Sequence, residues 1–508
     1  MSDWSDGYVT NVEYTAHFYP YLSPGAQNFS LLLNGFMPAG DAGGYTYCEL
    51  GCGQGYSTAL LAAANPAGRF WGVDFNPSHI AGATRLASAA GIDNVTFLEK
   101  SFAELTGAGL PQMDFIALHG VWSWINTDNR KAIADFIYAN LKPGGCVYIS
   151  YNALPGWAAI APLRQIFTES QRGKTSLDAK SVDEALALAQ KLKTLGAGYF
   201  AANSSGGANL DLLAKQQHNY LLHEYFNRDW TPFYFSTVAD DLKAAKLSFA
   251  CSSDITEHLD QLCITKDAQT MLAEIADPIA RETIRDYFRN QRFRRDLFTR
   301  GARKLNPAER IAMMRDLPLA LIGPKPEFPL RANFPAGTIT MNAEPFASLV
   351  EALAAGPQTL GQLSALPAVT GSGGQAVFQA VLLLLASGRV QPAAGANDVA
   401  ARRQRTDRFN RAVIMQAPGL EAQTLASPVL GNGVVVPRID QLFLAFEMQH
   451  PGLPASEIVA QMQARKMAIT SEKDGEGGLP DDPAKRTETV LADFRAQRLP
   501  AYRRLGLL

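Results

Sequence analysis

Between residues 45 and 152 the apolar positions switch repeatedly between two periods. Short β-rich runs at 45–50 ("YTYCEL"), 69–75 ("RFWGVDF"), 95–100 ("VTFLEK"), 113–120 ("MDFIALHG") and 146–152 ("CVYISYN") predict strands. Between them, 55–65, 78–91 and 129–141 carry helical spacing. Strands alternating with helices of this length predict βαβ units and a parallel, Rossmann-like sheet. The alternation stops at about residue 156. Residues 156–240 read as a helical insertion around "NSSGGAN", and two further strand-like runs follow, "LSFACSSD" (247–254) and "LDQLCITK" (259–266), bringing the sheet to seven strands. The expected fold class is therefore α/β, followed by mainly helical domains.

The expected boundaries are an N-terminal segment 1–40, the sheet domain 41–155 with 241–267, and the insertion 156–240. A helical middle domain 268–341, a winged-helix-like module 342–400 and a C-terminal domain 401–508 complete the chain. "RETIRDYFRNQRFRRDLFTR" (281–300) reads as a basic surface or interdomain helix, since Asp286 and Asp296 interrupt its arginines. The would-be recognition helix "GGQAVFQAVLLLLASG" (373–388) holds no Lys or Arg, so the module should pack against protein rather than nucleic acid. A loop is expected at "EKDGEGGLPDDPAK" (472–485).

Composition narrows the class without redirecting it. The chain has 508 residues, 47% hydrophobic and 19% charged, with a net charge of −2, so no global field favours nucleic acid or anionic membrane. Five scattered cysteines form neither a disulfide framework nor a zinc motif, which fits a reducing, cytoplasmic home. The acidic opening residues lack an apolar leader, and no apolar run is long enough to span a bilayer.

The chemistry concentrates after the first strand. In "CELGCGQG" (48–55), Gly51, Gly53 and Gly55 allow a sharp turn and a close ligand approach at a helix start. The spacing is G-x-G-x-G, with Tyr56 where a dinucleotide fingerprint has Gly or Ala. Glu49, two residues before Gly51, suits a positive amino group better than a pyrophosphate. Asp74 ends the second strand about 20 residues on, where a carboxylate can take both ribose hydroxyls.

"ELGCGQG" followed by "VDFNP" resembles the class I S-adenosylmethionine-dependent methyltransferases. The resemblance implies S-adenosylmethionine as cofactor, S-adenosylhomocysteine as product and no metal. It implies that Gly51, Cys52, Gly53 and Gly55 cradle the methionine part, with Glu49 near its end. It likewise implies Asp74 on the ribose, Phe75 on the adenine, Ser101 and Phe102 at the adenine edge, and His119 near the cofactor.

The acceptor should meet the carboxyl ends of strands four and five, at "HGVWSW" (119–124) and "SYNALPGW" (150–157). Trp122, Trp124 and Trp157 suit a cationic group through cation–π attraction, although core packing explains them equally well. His119 could accept a proton from an amine, or Tyr151 and Asn152 could orient the neutral amine. "EYTAHFYPYLSP", "HGVWSW", "SYNALPGW", "FYF" and "IRDYFRNQRFRRDLF" extend the resemblance to bacterial methyltransferases with an appended methyltransferase regulatory domain. That group includes protein-lysine methyltransferases acting on bacterial outer-membrane proteins. It implies an N-terminal lid carrying Tyr14 and Tyr21, a homodimer through the insertion, and a protein substrate. The alternatives are a small-molecule methyltransferase and a catalytically silent regulator.

Overall fold

In a computed structural model of the chain, residues 17–40, 44–174, 177–395, 399–415, 424–464 and 482–508 are described. A short 3-10 turn, Pro20–Leu22, leads into helix α1 (Pro24–Leu33). The sheet then begins with β1 (Tyr45–Leu50), α2 (Tyr56–Ala64), β2 (Gly68–Asp74), α3 (Pro77–Ala89), β3 (Val95–Glu99), β4 (Met113–Leu118), α4 (Thr127–Asn140) and β5 (Leu141–Asn152). Helices α5 (Ala161–Ser170), α6 (Ala179–Thr194), α7 (Gly198–Ala202), α8 (Ser204–Leu213) and α9 (His218–Tyr225) make up the insertion. They share a core of their own around Leu163, Phe167, Val182 and Leu221. Helix α10 (Phe235–Lys243) returns to the sheet, where Phe235, Val238 and Leu242 pack with Val147 and Phe298.

Two strands close the sheet, β6 (Ser248–Ser252) and β7 (Phe293–Thr299), in the order β3-β2-β1-β4-β5-β7-β6. β1 to β5 are parallel, and β7 runs antiparallel between β5 and β6. The seven strands are as expected in number, but the last is a different segment. "LDQLCITK" holds a short helix, α11 (Asp260–Cys263), and then α12 (Lys266–Ala273) capped by Thr265. A short apolar run such as Leu262–Ile264 has no period that separates strand from buried helix.

The seventh strand comes from the basic stretch read as one helix. Helix α13 (Pro278–Arg289) stops at Asn290, which takes the left-handed conformation at φ 46°. Beyond it the chain is extended as β7, because Arg294 and Asp296 both turn inward and satisfy one another. The sheet domain therefore reaches into 268–341.

Further on, α14 (Pro307–Asp316) leads to β8 (Pro318–Leu321), the hairpin β9 (Leu330–Phe334) and β10 (Gly337–Met341), and then α15 (Ala343–Ala355), β11 (Gln358–Thr359), α16 (Leu360–Ser364), α17 (Gly374–Ala386) and β12 (Val390–Pro392). β11 and β12 both pair with β8, so the packed unit starts before residue 342. The last described part comprises α18 (Val399–Met415), the hairpin β13 (Thr424–Ser427) and β14 (Asn432–Val435), and helices after it. It forms no separate core: Phe409, Leu425 and Phe443 join the cluster that holds Tyr47, Tyr56 and Leu60. Most of the expected 472–485 loop lies outside the described residues.

Helix α2 shows why that arrangement is required. Its sequence, "YSTALLAAA", is apolar on every side, and every residue of it is buried. A helix of that kind needs cover all round. The sheet covers one side, and α18 with the β13–β14 hairpin covers another.

Candidate functional site

The carboxyl ends of the parallel strands open into a cavity of about 550 Å³. At its floor the chain leaves β1 through the glycine loop. Gly51 and Cys52 donate N–H bonds of 2.8 and 3.0 Å to the Val73 carbonyl, which ties the loop to β2. Gly53, at φ 53°, has open space where a Cβ would stand and lines the cavity. Gly55, at φ 66°, does not line it. A Cβ there would lie 2.5 Å from both Ala83 Cβ and Phe97 Cε1, so its glycine is a packing requirement between α2, α3 and β3.

Asp74, at the end of β2, is 7% exposed and faces the loop. Its Oδ2 accepts the Gly53 N–H at 2.9 Å, and its Oδ1 accepts the Asn76 N–H at 2.9 Å, with His79 Nδ1 at 3.3 Å. Glu49, 4% exposed, accepts a short hydrogen bond from the Thr58 hydroxyl. Burial pushes its carboxyl up to about 7, the Thr58 bond lowers it in part, and the Asp74 charge raises it further. Phe75, Ser101, Phe102 and Cys52 line the same half.

The other half is aromatic. His119 Nδ1 lies 2.8 Å from the Tyr148 hydroxyl and 3.2 Å from Ser150 Oγ, and the Tyr19 ring lies against the imidazole at 3.7 Å between centroids, tilted by 31°. Burial and the nearby Arg295 charge push its pKa down to about 3. Trp124, Trp157 and Phe293 line this half, and the Arg292 guanidinium sits 5.5 Å from the Trp157 ring centre. Asn152, 3% exposed, also lines it, and its Nδ2 has no hydrogen-bond partner among the described residues.

Besides Gly55, three expected site residues lie elsewhere. Tyr151 is fully buried and donates to Asp296 Oδ2 at 2.6 Å, because its position in β5 points it away from the cavity toward β7. Trp122 is fully buried in the sheet core. Tyr21 packs beneath the Arg295 guanidinium at 4.7 Å and does not line the cavity. Tyr14 lies outside the described residues.

Conversely, Tyr19, His79, Tyr220, Glu224, Arg292 and Arg295 line the cavity without having been singled out. Tyr220 and Glu224 carried a readable signal, since their i,i+4 spacing puts them on one helix face. Phe293 and Arg295 are i,i+2 on β7 and share a face. Among the described residues no cluster of His, Cys, Asp or Glu could hold a metal, and no helix is long and apolar enough to cross a membrane.

Residues 41–212 match the family model described as "Methyltransferase domain", and 217–300 match "Predicted methyltransferase regulatory domain". The chain is 38% identical to protein sll1526 of Synechocystis over 99% of each. It is 27% identical to protein RP789 of Rickettsia prowazekii over 57% of this chain and 52% of that one. In fold it is similar to PKMT2 from Rickettsia typhi in complex with AdoHcy, at a TM-score of 0.72 and 19% identity, covering 97% of this chain and 99% of that one. The chain belongs to the class I S-adenosylmethionine-dependent methyltransferases, in the group whose methyltransferase domain is followed by a methyltransferase regulatory domain.

Proposed function

We propose that the enzyme N-methylates lysine side chains of protein substrates. The observation that carries this reading is the make-up of the acceptor half. Tyr19, Trp124 and Phe293 wall it, and the buried Asn152 amide offers a hydrogen-bonding atom with no partner among the described residues. Aromatic walls around a polar atom suit an alkyl chain that ends in an amine or a methylated cation. The sequence resemblance to bacterial protein-lysine methyltransferases supports the same class.

The cofactor half fits S-adenosylmethionine by its donor set. Gly53 leaves room for close approach, Asp74 Oδ2 holds one protein donor and has acceptor capacity left, and Glu49 is an acid under an otherwise enclosed floor. In this reading Glu49 faces the amino group, Asp74 the ribose hydroxyls, and Phe75, Ser101 and Phe102 the adenine. When bound, the cofactor supplies a methyl group on a sulfonium, ready for in-line displacement. The protein's part is alignment and exclusion of water. His119 is a poor proton acceptor, since a group that titrates near 3 holds no proton at neutral pH. Its role is to hold Tyr19 over the site.

The test is transfer of labelled methyl from S-adenosylmethionine to whole-cell protein and, separately, to a metabolite extract. Methyl-lysine in the protein hydrolysate is expected, and label confined to metabolites overturns the reading. Asp74→Ala should weaken S-adenosylhomocysteine binding about tenfold to a hundredfold, the loss of one charge-assisted contact.

A further inference from the structure

We propose that Glu224 receives the acceptor as a primary ammonium and takes the proton whose loss makes it a nucleophile. This rests on the reading of the chain as a lysine methyltransferase. Glu224 lies on α9 of the insertion, one turn beyond Tyr220, and both line the cavity that also holds Asp74, Asn152 and His119. Among the described residues no charge or hydrogen bond acts on its carboxyl, burial being the one influence on it. The two arginines lining the cavity are engaged elsewhere. Arg292 lies over Trp157 and donates to Asn209 Oδ1 at 3.1 Å, while Arg295 lies over Tyr21 and pairs with Asp254 at 3.6 Å.

A half-buried carboxylate at the aromatic wall of a cavity, with no counter-ion among the described residues, is stabilised when a cation joins it. Burial raises Glu224 to about 7, so it stands poised between charge states near neutrality. In the forward direction the N–H bond of the ammonium breaks and an O–H bond to a Glu224 oxygen forms. The electron pair stays on nitrogen, giving a neutral amine beside a neutral acid. No other reactant is needed.

The charged and titratable groups around this end are few. Tyr220, His223 and Tyr225 share the helix, Tyr19 and Arg292 face it, and Asp229 follows it. Behind α9, Arg164 of α5 bonds the Asn227 carbonyl and Asp183 of α6 pairs with His218. Burial, and after it the charge of Glu224, raises Tyr220 to about 12, so that hydroxyl remains a donor throughout the working range.

The test uses the full chain as wild type, Glu224→Gln and Glu224→Asp, with butylamine as a lysine side-chain probe and butanol as its neutral control. Butylamine should bind wild type and bind Glu224→Gln at least tenfold more weakly, with butanol and S-adenosylhomocysteine binding alike in both. With a lysine peptide as acceptor, wild-type kcat/KM should level off above about pH 7. In Glu224→Gln it should keep rising about tenfold per pH unit toward the free lysine value of about 10.4. Glu224→Asp should restore the plateau in part.

Equal butylamine binding by Glu224→Gln, or an unchanged pH profile, overturns the inference. If lysine is methylated and these results are obtained, the lysine reading stands while this site fails. If butylamine binding depends on Glu224 but no lysine is methylated, the ammonium site stands and the lysine reading fails.

Discussion

Glu49 and Asp74 sit on neighbouring strand ends, but the protein treats them differently. Asp74 is held by two backbone N–H groups, whereas Glu49 has one side-chain donor and an apolar floor. Glu49 is consequently raised to about 7 from an ordinary 4.5, and the sign of its effect follows. Folding binds its proton more tightly, so its contribution is full below pH 4.5 and is lost as pH rises through 7. The loss is about 3 kcal/mol. The melting temperature of ligand-free protein should therefore fall from pH 5 to pH 8 relative to Glu49→Gln. Ligand binding runs the other way, because an amino group prefers the carboxylate. S-adenosylhomocysteine affinity should weaken up to tenfold per pH unit below 7, and titration calorimetry on Glu49→Gln should show a flat profile. Both acids were legible in the sequence because their spacing relative to one glycine loop is local. The packing role of Gly55 was not, since Phe97 reaches it from β3.

The stretch from 281 to 300 shows how an element can be misread when its partners are distant. Its arginines look solvated in sequence, yet Arg294 is 2% exposed and Asp296 is fully buried in β7. Arg294 bonds both Asp296 oxygens at 2.8 and 3.0 Å and Asp286 at 2.7 Å, and Tyr151 from β5 completes the set. Removing Asp296 takes two hydrogen bonds from the buried Arg294 charge, which keeps only Asp286 and Glu282, and takes the acceptor from Tyr151. Asp296→Ala should cost about 3–5 kcal/mol in denaturant unfolding. Tyr151→Phe removes one neutral donor and should cost about 1–2 kcal/mol while leaving kcat unchanged. A Tyr151→Phe enzyme with wild-type stability and lost methyl transfer would restore the catalytic role expected from sequence.

Across the whole molecule, the C-terminal region acts as part of the sheet domain. Besides covering α2, it accepts the Tyr56 hydroxyl at the Thr424 carbonyl, and Arg405 pairs with Asp93 at 2.7 Å. Asn65, at the end of α2, donates to the Gly431 carbonyl at 2.8 Å. A fragment of residues 1–400 would expose the outer side of α2 directly behind the glycine loop. It should unfold at lower temperature than the full chain and bind S-adenosylhomocysteine at least tenfold more weakly, as calorimetry would measure. A fragment with full affinity would show that the C-terminal region is only an appendage.

The sequence by itself determined the α/β class, the strand–loop–helix at residues 45–64 and the two acids beside it. Those features depend on period and short spacing, which backbone hydrogen bonding turns directly into structure. Only the tertiary structure decided the full lining of the cavity's aromatic half and the seventh strand. The aromatic half of the cavity draws side chains from residues 17–19, 119–157, 220–229 and 292–295; the strand-end rule pointed to 119–157, but no local pattern says that the other three segments join it. Whether an arginine such as Arg294 faces water or a buried aspartate is likewise set by what packs against it.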